Sequence, residues 1–215
     1  DAAQTVEELN RRIQRAISSG GKFRCAVPGD EPINGHHQSS GLPGQVDIIA
    51  ADGSQVLPDR HAEVLYYLIN IGALHYRLGD SQPPGKFTVS QLRYDRDLYT
   101  DWGMIRPEDI ALLRDVQERE YLVRVWEEVC ANGECGDTVI AMTDGPVELW
   151  GVRDARGNEP SLYKQKLDEY LKTLHHMHRL GMVPCGYIDK ARADLVVRML
   201  EISQLEENQL EKVNQ

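Results

Sequence analysis

Two apolar runs in this chain stop at the same dipeptide. "IIAADGS" spans residues 48–54 and "IAMTDGP" spans residues 140–146, so Asp52 and Asp144 each close a stretch suited to a buried strand. About ninety residues separate the two aspartates, and "RPEDIALLRDVQEREYLVRVWEEVCA" between them places apolar residues at helical spacing. A strand, a long helix and a second buried strand predict a crossover between parallel neighbours, hence an α/β fold. Taken alone, Asp-Gly implies only a turn.

The rest of the chain alternates in the same way. Residues 5–18 predict a helix with Val6, Leu9, Ile13 and Ile17 on one stripe, and Thr5 and Glu8 are spaced as a capping box. Gly, Pro and Ser dominate 19–41, which predicts a long loop. "HAEVLYYLINIGALHYRLG" predicts two strands with Gly72 as a hairpin or bulge, against a competing helix over 62–68. "FTVSQLRY" predicts another strand, and Pro107 opens a helix that runs to about Ala131. "VELWGV" predicts a further strand or extended turn. After it come a helix stopped by Gly181, a strand at "MVPCGYID" and a final helix with a polar tail. The expected organisation is 1–41 as helix and loop, 42–200 as the main domain, and 201–215 as a helical tail.

Composition narrows the functional classes. With 41% hydrophobic and 27% charged residues among 215, the chain has the make-up of a soluble globular protein. No run of eighteen apolar residues predicts a membrane helix and no apolar signal core opens the chain, so a cytoplasmic location is expected. A net charge of −10 argues against a general positive coat for nucleic acid but leaves room for a local basic groove. Cys25, Cys130, Cys135 and Cys185 are too scattered for a disulfide framework or a zinc site. The central residues of P-loop enzymes and of nucleophile-elbow hydrolases are missing.

On the long helix, Glu118 falls within roughly 40° of Leu122, Val125 and Val129 at 100° per residue. It therefore belongs to the buried face, whereas Glu120 projects to the opposite side as surface charge. A carboxylate in an apolar stripe needs a cation or donors. A salt bridge to Arg114 at i−4 satisfies that need. So does a metal ion, because two strand-end aspartates flank Glu118 in sequence. Asp52, Glu118 and Asp144 in that order have the layout of an RNase H-like metal site, where two divalent ions about 3.5–4 Å apart clamp a phosphodiester. Carboxylate and water ligands suit Mg2+ or Mn2+.

"VDIIAADGSQVLPDRH", "ALLRDVQEREYL", "VIAMTDGPVELWG" and "GMVPCGYIDKARADLVVRML" together resemble the NurA nuclease family in its bacterial form, over roughly 42–200. The resemblance implies an RNase H-like core and a Mn2+-dependent nuclease that acts on single-stranded DNA ends and also cuts internally. It also implies a dimer that works with the hexameric ATPase HerA in DNA end resection and double-strand break repair. The family's metal-site carboxylates match Asp52, Glu118 and Asp144. The chain departs from the family after Leu200: "EISQLEENQLEKVNQ" lacks the further metal-site histidine and nearby tyrosine. Asp189 is then the candidate fourth carboxylate.

Phosphate contacts are expected from Arg77, Arg93, Arg96, Lys190 and Arg192, with Tyr94, Tyr99 and Trp102 available for stacking. Two other readings compete with a nuclease. One is an inactive module that docks on a HerA-like ATPase. The other is an acidic-site ATPase of the actin and sugar-kinase type, which calls for more glycine-rich phosphate turns than this chain has.

Overall fold

In the computed structural model the elements run α1 (Val6–Ser18), β1 (Val46–Val56), β2 (Tyr66–Leu78), β3 (Gly85–Tyr94), β4 (Tyr99–Thr100), β5 (Gly103–Met104) and α2 (Pro107–Ala131). They continue with β6 (Val139–Asp144), α3 (Leu162–Arg179), β7 (Met182–Tyr187) and α4 (Leu195–Gln204). The structure describes residues 6–18, 24–29, 36–38, 41, 44–101, 103–136, 138–150, 162–189, 194–206 and 208–209.

Five strands form one mixed sheet in the order β3-β2-β1-β6-β7. The β1–β2 and β2–β3 ladders are antiparallel, and β1–β6 and β6–β7 are parallel. A meander of three strands followed by two parallel crossovers is the RNase H-like arrangement. Both crossovers are made by helices, α2 and α3, which pack on each other and on the sheet. Right-handed crossovers that advance in the same direction across a sheet put their helices on the same face.

Alternation then divides every strand into two sides. Ile49 and Ala51 of β1, Ile69, Ile71 and Ala73 of β2, and Val139 and Ala141 of β6 face the helices and are buried. They meet Ile110, Leu122, Val125, Trp126 and Val129 of α2, with Met177 of α3. On the opposite face Leu74, Tyr76, Leu92, Val183 and Tyr187 are exposed.

The residues expected to form two strands make one, the 13-residue β2. Gly72 is neither hairpin nor bulge, because it holds its place in both ladders, opposite Asp52 and Thr88. "VELWGV" forms no strand within its described part, 147–150. Glu120 is half-buried rather than plain surface charge, and burial together with the nearby Glu169 pushes its carboxyl above the usual range.

Asp109 closes the start of α2 by accepting from the Arg106 backbone N–H at 3.0 Å and from Arg106 Nε at 2.9 Å. At the base of the sheet the buried Asp47 accepts from the Gly136 N–H at 2.9 Å and from Arg77 Nε at 3.0 Å, and lies 2.7 Å from His75 Nε2. The loop after α2 is thereby tied to β1 and β2.

Residues 42–189 form one compact unit; 1–41 and 190–215 form another. In the latter, α1 and α4 bury Leu9, Ile13, Ala16, Met199 and Ile202, and the Ala26 N–H donates to the Leu195 carbonyl at 2.9 Å. Among the described residues no helix is long and apolar enough to cross a membrane.

Candidate active site

The last pair of the β1–β6 ladder is Ala51 with Thr143. Asp52 and Asp144 come next, which sets them side by side on adjacent parallel strands, about 4.8 Å apart across the ladder. Both are exposed, and both line one cavity of about 680 Å³ on the sheet face opposite α2 and α3. Their neighbours continue in a row across that face: Tyr187 pairs with Asp144, Gly72 with Asp52, and Thr88 with Gly72.

The two Asp-Gly steps do different work. Gly145 has a φ of +84°, a conformation that disfavours other residues, and it ends β6 directly after Asp144. Asp52, by contrast, is not at a strand end, because β1 continues to Val56. Gly53 instead makes room: a Cβ there would lie 2.6 Å from Glu118 Oε1 and 2.8 Å from Arg114 Cγ.

That contact also places Glu118. Gly53 points to the helices, so Asp52, one residue earlier, points to the open face. Glu118 is 4% exposed and sits under the strand, between two arginines. Arg119 Nη1 donates to its Oε2 at 3.2 Å. Arg114 Nε lies 3.3 Å from Oε1, but its N–H is not aimed there and makes no hydrogen bond among the described residues. Burial pushes the Glu118 carboxyl up to about 7; Arg119 and Arg114 oppose that rise, and Asp115 and Asp52 add to it. Arg119 is held in turn by the Asp115 and Pro146 carbonyls, at 2.9 and 3.3 Å, and by the Tyr170 ring, 5.7 Å from its guanidinium carbon.

The structure thus brings Asp52 and Asp144 together and sets Glu118 behind them, across one strand. Among the described residues no three acidic, histidine or cysteine side chains already form a metal cage. The donor chemistry suits a hard divalent cation: three carboxylates, two opening on one cavity and the third, Glu118, buried against Gly53 one residue along from Asp52. Asp189 is exposed in the bend after β7 and does not line the cavity.

The described arginines expected to contact phosphate lie elsewhere. Arg77 is committed to Asp47, five residues along β1 from Asp52. Arg93 donates to Gln91 at 2.9 Å and pairs with Asp97 at 3.6 Å. Arg96 sits in the short 3-10 turn 95–98, and Tyr94 and Tyr99 are exposed beside it, away from the cavity lining. Trp102, Lys190 and Arg192 lie outside the described residues. Sequence reasoning missed Lys86, Thr88 and Tyr187, which do line the cavity. The alternation of "GKFTVSQLRY" was a usable signal for the first two, since it puts Lys86 and Thr88 on one face.

A family model, the NurA domain, matches residues 46–212. The chain belongs to the NurA family. No curated protein matches this NurA chain. Among solved structures, the NurA nuclease from Sulfolobus solfataricus is similar at 14% identity and a TM-score of 0.39, over 73% of this chain and 53% of that one. The chain spans about half the length of that nuclease. LC9-RNase H1, a type 1 RNase H with the type 2 active-site motif, is similar at 13% identity and a TM-score of 0.37, over 76% of this chain and 72% of that one.

Proposed function

We propose that this NurA-family chain is a metal-dependent deoxyribonuclease. The observation that carries the reading is the Asp52–Asp144 pair, which opens on a single cavity at the join of two parallel strands. Asp52 and Asp144 would hold the metal, Mn2+ or Mg2+, with Glu118 as the third carboxylate of the site. Bound there as two ions, the metal would activate water and stabilise the leaving oxygen of a phosphodiester. Gly145 turns the chain away and keeps Asp144 at the mouth, while Gly53 lets Glu118 lie under the strand. Arg119 fixes Glu118 and spans from α2 to the loop after β6. The finer reading adds cleavage at single-stranded ends and internally, a homodimer, and work beside a HerA-type ATPase in DNA end resection and repair in the cytoplasm.

A cleavage assay on a fluorescein-labelled single-stranded oligonucleotide tests the reading. The protein should cut it with Mn2+, and the Asp52→Asn and Asp144→Asn variants should be at least about a hundredfold slower, as expected when a main source of transition-state charge stabilisation is lost. Equal rates for the wild type and both variants would sink it.

One observation favours a second reading. Glu118 is engaged by Arg114 and Arg119, which leaves no three-carboxylate cage among the described residues. A docking module for a HerA-like ATPase would need none. A chain that fails to cleave in the same assay yet binds such an ATPase supports that alternative.

A further inference from the structure

Among the described residues, one cationic side chain lines the cavity above Asp52 and Asp144. Lys86 is exposed on β3, on the same face as the two aspartates, and among the described residues no carboxylate forms a salt bridge with it. Arg77, Arg93 and Arg96, the described arginines expected to meet phosphate, do not line this space.

Between Lys86 and Asp52 the sheet is bare. Gly72 stands directly across the ladder from Asp52, and a Cβ there would meet nothing within 4 Å. Any larger side chain at this position would project into the cavity beside the aspartate. On the far side of Gly72 is Thr88, which presents a hydroxyl, and Lys86 lies two residues from it along β3. Two ladder steps of about 4.8 Å separate the β1 and β3 backbones. A lysine side chain can reach back over much of that distance.

The charges are complementary to a polyanion that is cut at one phosphate and held at another. Cations at the aspartates would attract the reacting phosphodiester, and Lys86 would meet a neighbouring phosphate of the same strand. At the opposite end of the row, the exposed Tyr187 beside Asp144 offers a ring for a base to stack on. We infer that Lys86 is a positioning residue for single-stranded nucleic acid, and that Gly72 is the gap that lets the strand lie across the open sheet face from β7 to β3. This rests on the nuclease reading only for the identity of the ligand.

Binding of a fluorescein-labelled single-stranded oligonucleotide, read by anisotropy without divalent metal, tests the inference apart from cleavage. Lys86→Ala should weaken binding about three- to tenfold and make the slope of log K against log salt shallower by about 0.7, the loss of one phosphate contact. Lys86→Arg should restore most of both. Lys172→Ala removes the same charge from the exposed surface of α3, on the helix-covered side, and should leave the slope unchanged. Gly72→Val suits a strand, its Cβ would meet nothing within 4 Å, and it should weaken binding with an unaltered unfolding transition. With Mn2+ present, Lys86→Ala should raise KM far more than it lowers kcat.

An unchanged slope in Lys86→Ala, or an equal loss in Lys172→Ala, overturns the role of Lys86. Undiminished binding in Gly72→Val overturns the path across the sheet. Failure of the wild type to cleave, with the Lys86 effect on binding intact, counts against the nuclease reading alone.

Discussion

Glu118 Oε1 lies 2.6 Å from the point where a Cβ on Gly53 would stand. The buried glutamate and the strand glycine are therefore fitted to each other, and the side chain of Asp52 is turned to the opposite face by the same geometry.

Gly53→Ala should destabilise the protein by about 1–3 kcal/mol, the usual cost of overpacking a filled interior. Urea unfolding measures it. Glu118→Ala removes one of the two clashing groups, so the double variant should lose less than the sum of the single ones. Additive losses would mean that the two residues do not meet.

The Glu118 carboxyl sets a pH dependence. Its folded pKa, about 7, stands above the ordinary value of 4.5. The folded state therefore binds the proton more tightly, and the stability from this group is fully present below about pH 4.5 and lost as pH rises towards 7. Between those limits the wild type should lose about 3 kcal/mol relative to Glu118→Gln, whatever the offset between them at low pH. Metal-free unfolding curves at pH 4.5, 6 and 8 read this difference; parallel profiles for the two proteins would contradict it.

Metal should stabilise the fold through the aspartate pair. Mn2+ at a hundred times its Kd adds about 2.7 kcal/mol, and a chelator should remove it. In a chain of this length that raises Tm by about 5–10 °C. Asp52→Asn and Asp144→Asn should each abolish the rise, and calorimetric titration should show the same loss. A full rise in both variants would place the metal elsewhere.

Arg77 should behave as a structural residue. It shares the buried Asp47 with His75 and the Gly136 N–H. Asp47→Ala leaves those donors without their acceptor and should cost about 3–5 kcal/mol. Arg77→Ala should likewise lower Tm while the salt dependence of DNA binding stays as in the wild type. A shallower salt slope would instead assign Arg77 to phosphate.

Much of this was legible in the chain. α2 begins at Pro107 and ends at Ala131, as its proline start and apolar spacing predicted. Glu118 falls on the buried face that the helical wheel assigned to it. The single strand β2 was read as two because Gly72 looks like punctuation, yet pairing with strands on both sides holds a glycine in extended backbone. Arg77 looked available because nothing local reveals that Asp47, thirty residues earlier, is buried beside it.

The sequence by itself determined the order of strand and helix, the face of α2 that carries Glu118, and the two Asp-Gly steps. Each of these follows from periodicity or conformation within a few residues. Only the tertiary structure decided that Asp52 and Asp144 share the open face, that Glu118 lies behind Gly53, and that Lys86, Gly72 and Tyr187 complete the cavity. Those relations depend on the register between strands distant in sequence, where a shift of one residue turns every side chain to the other face.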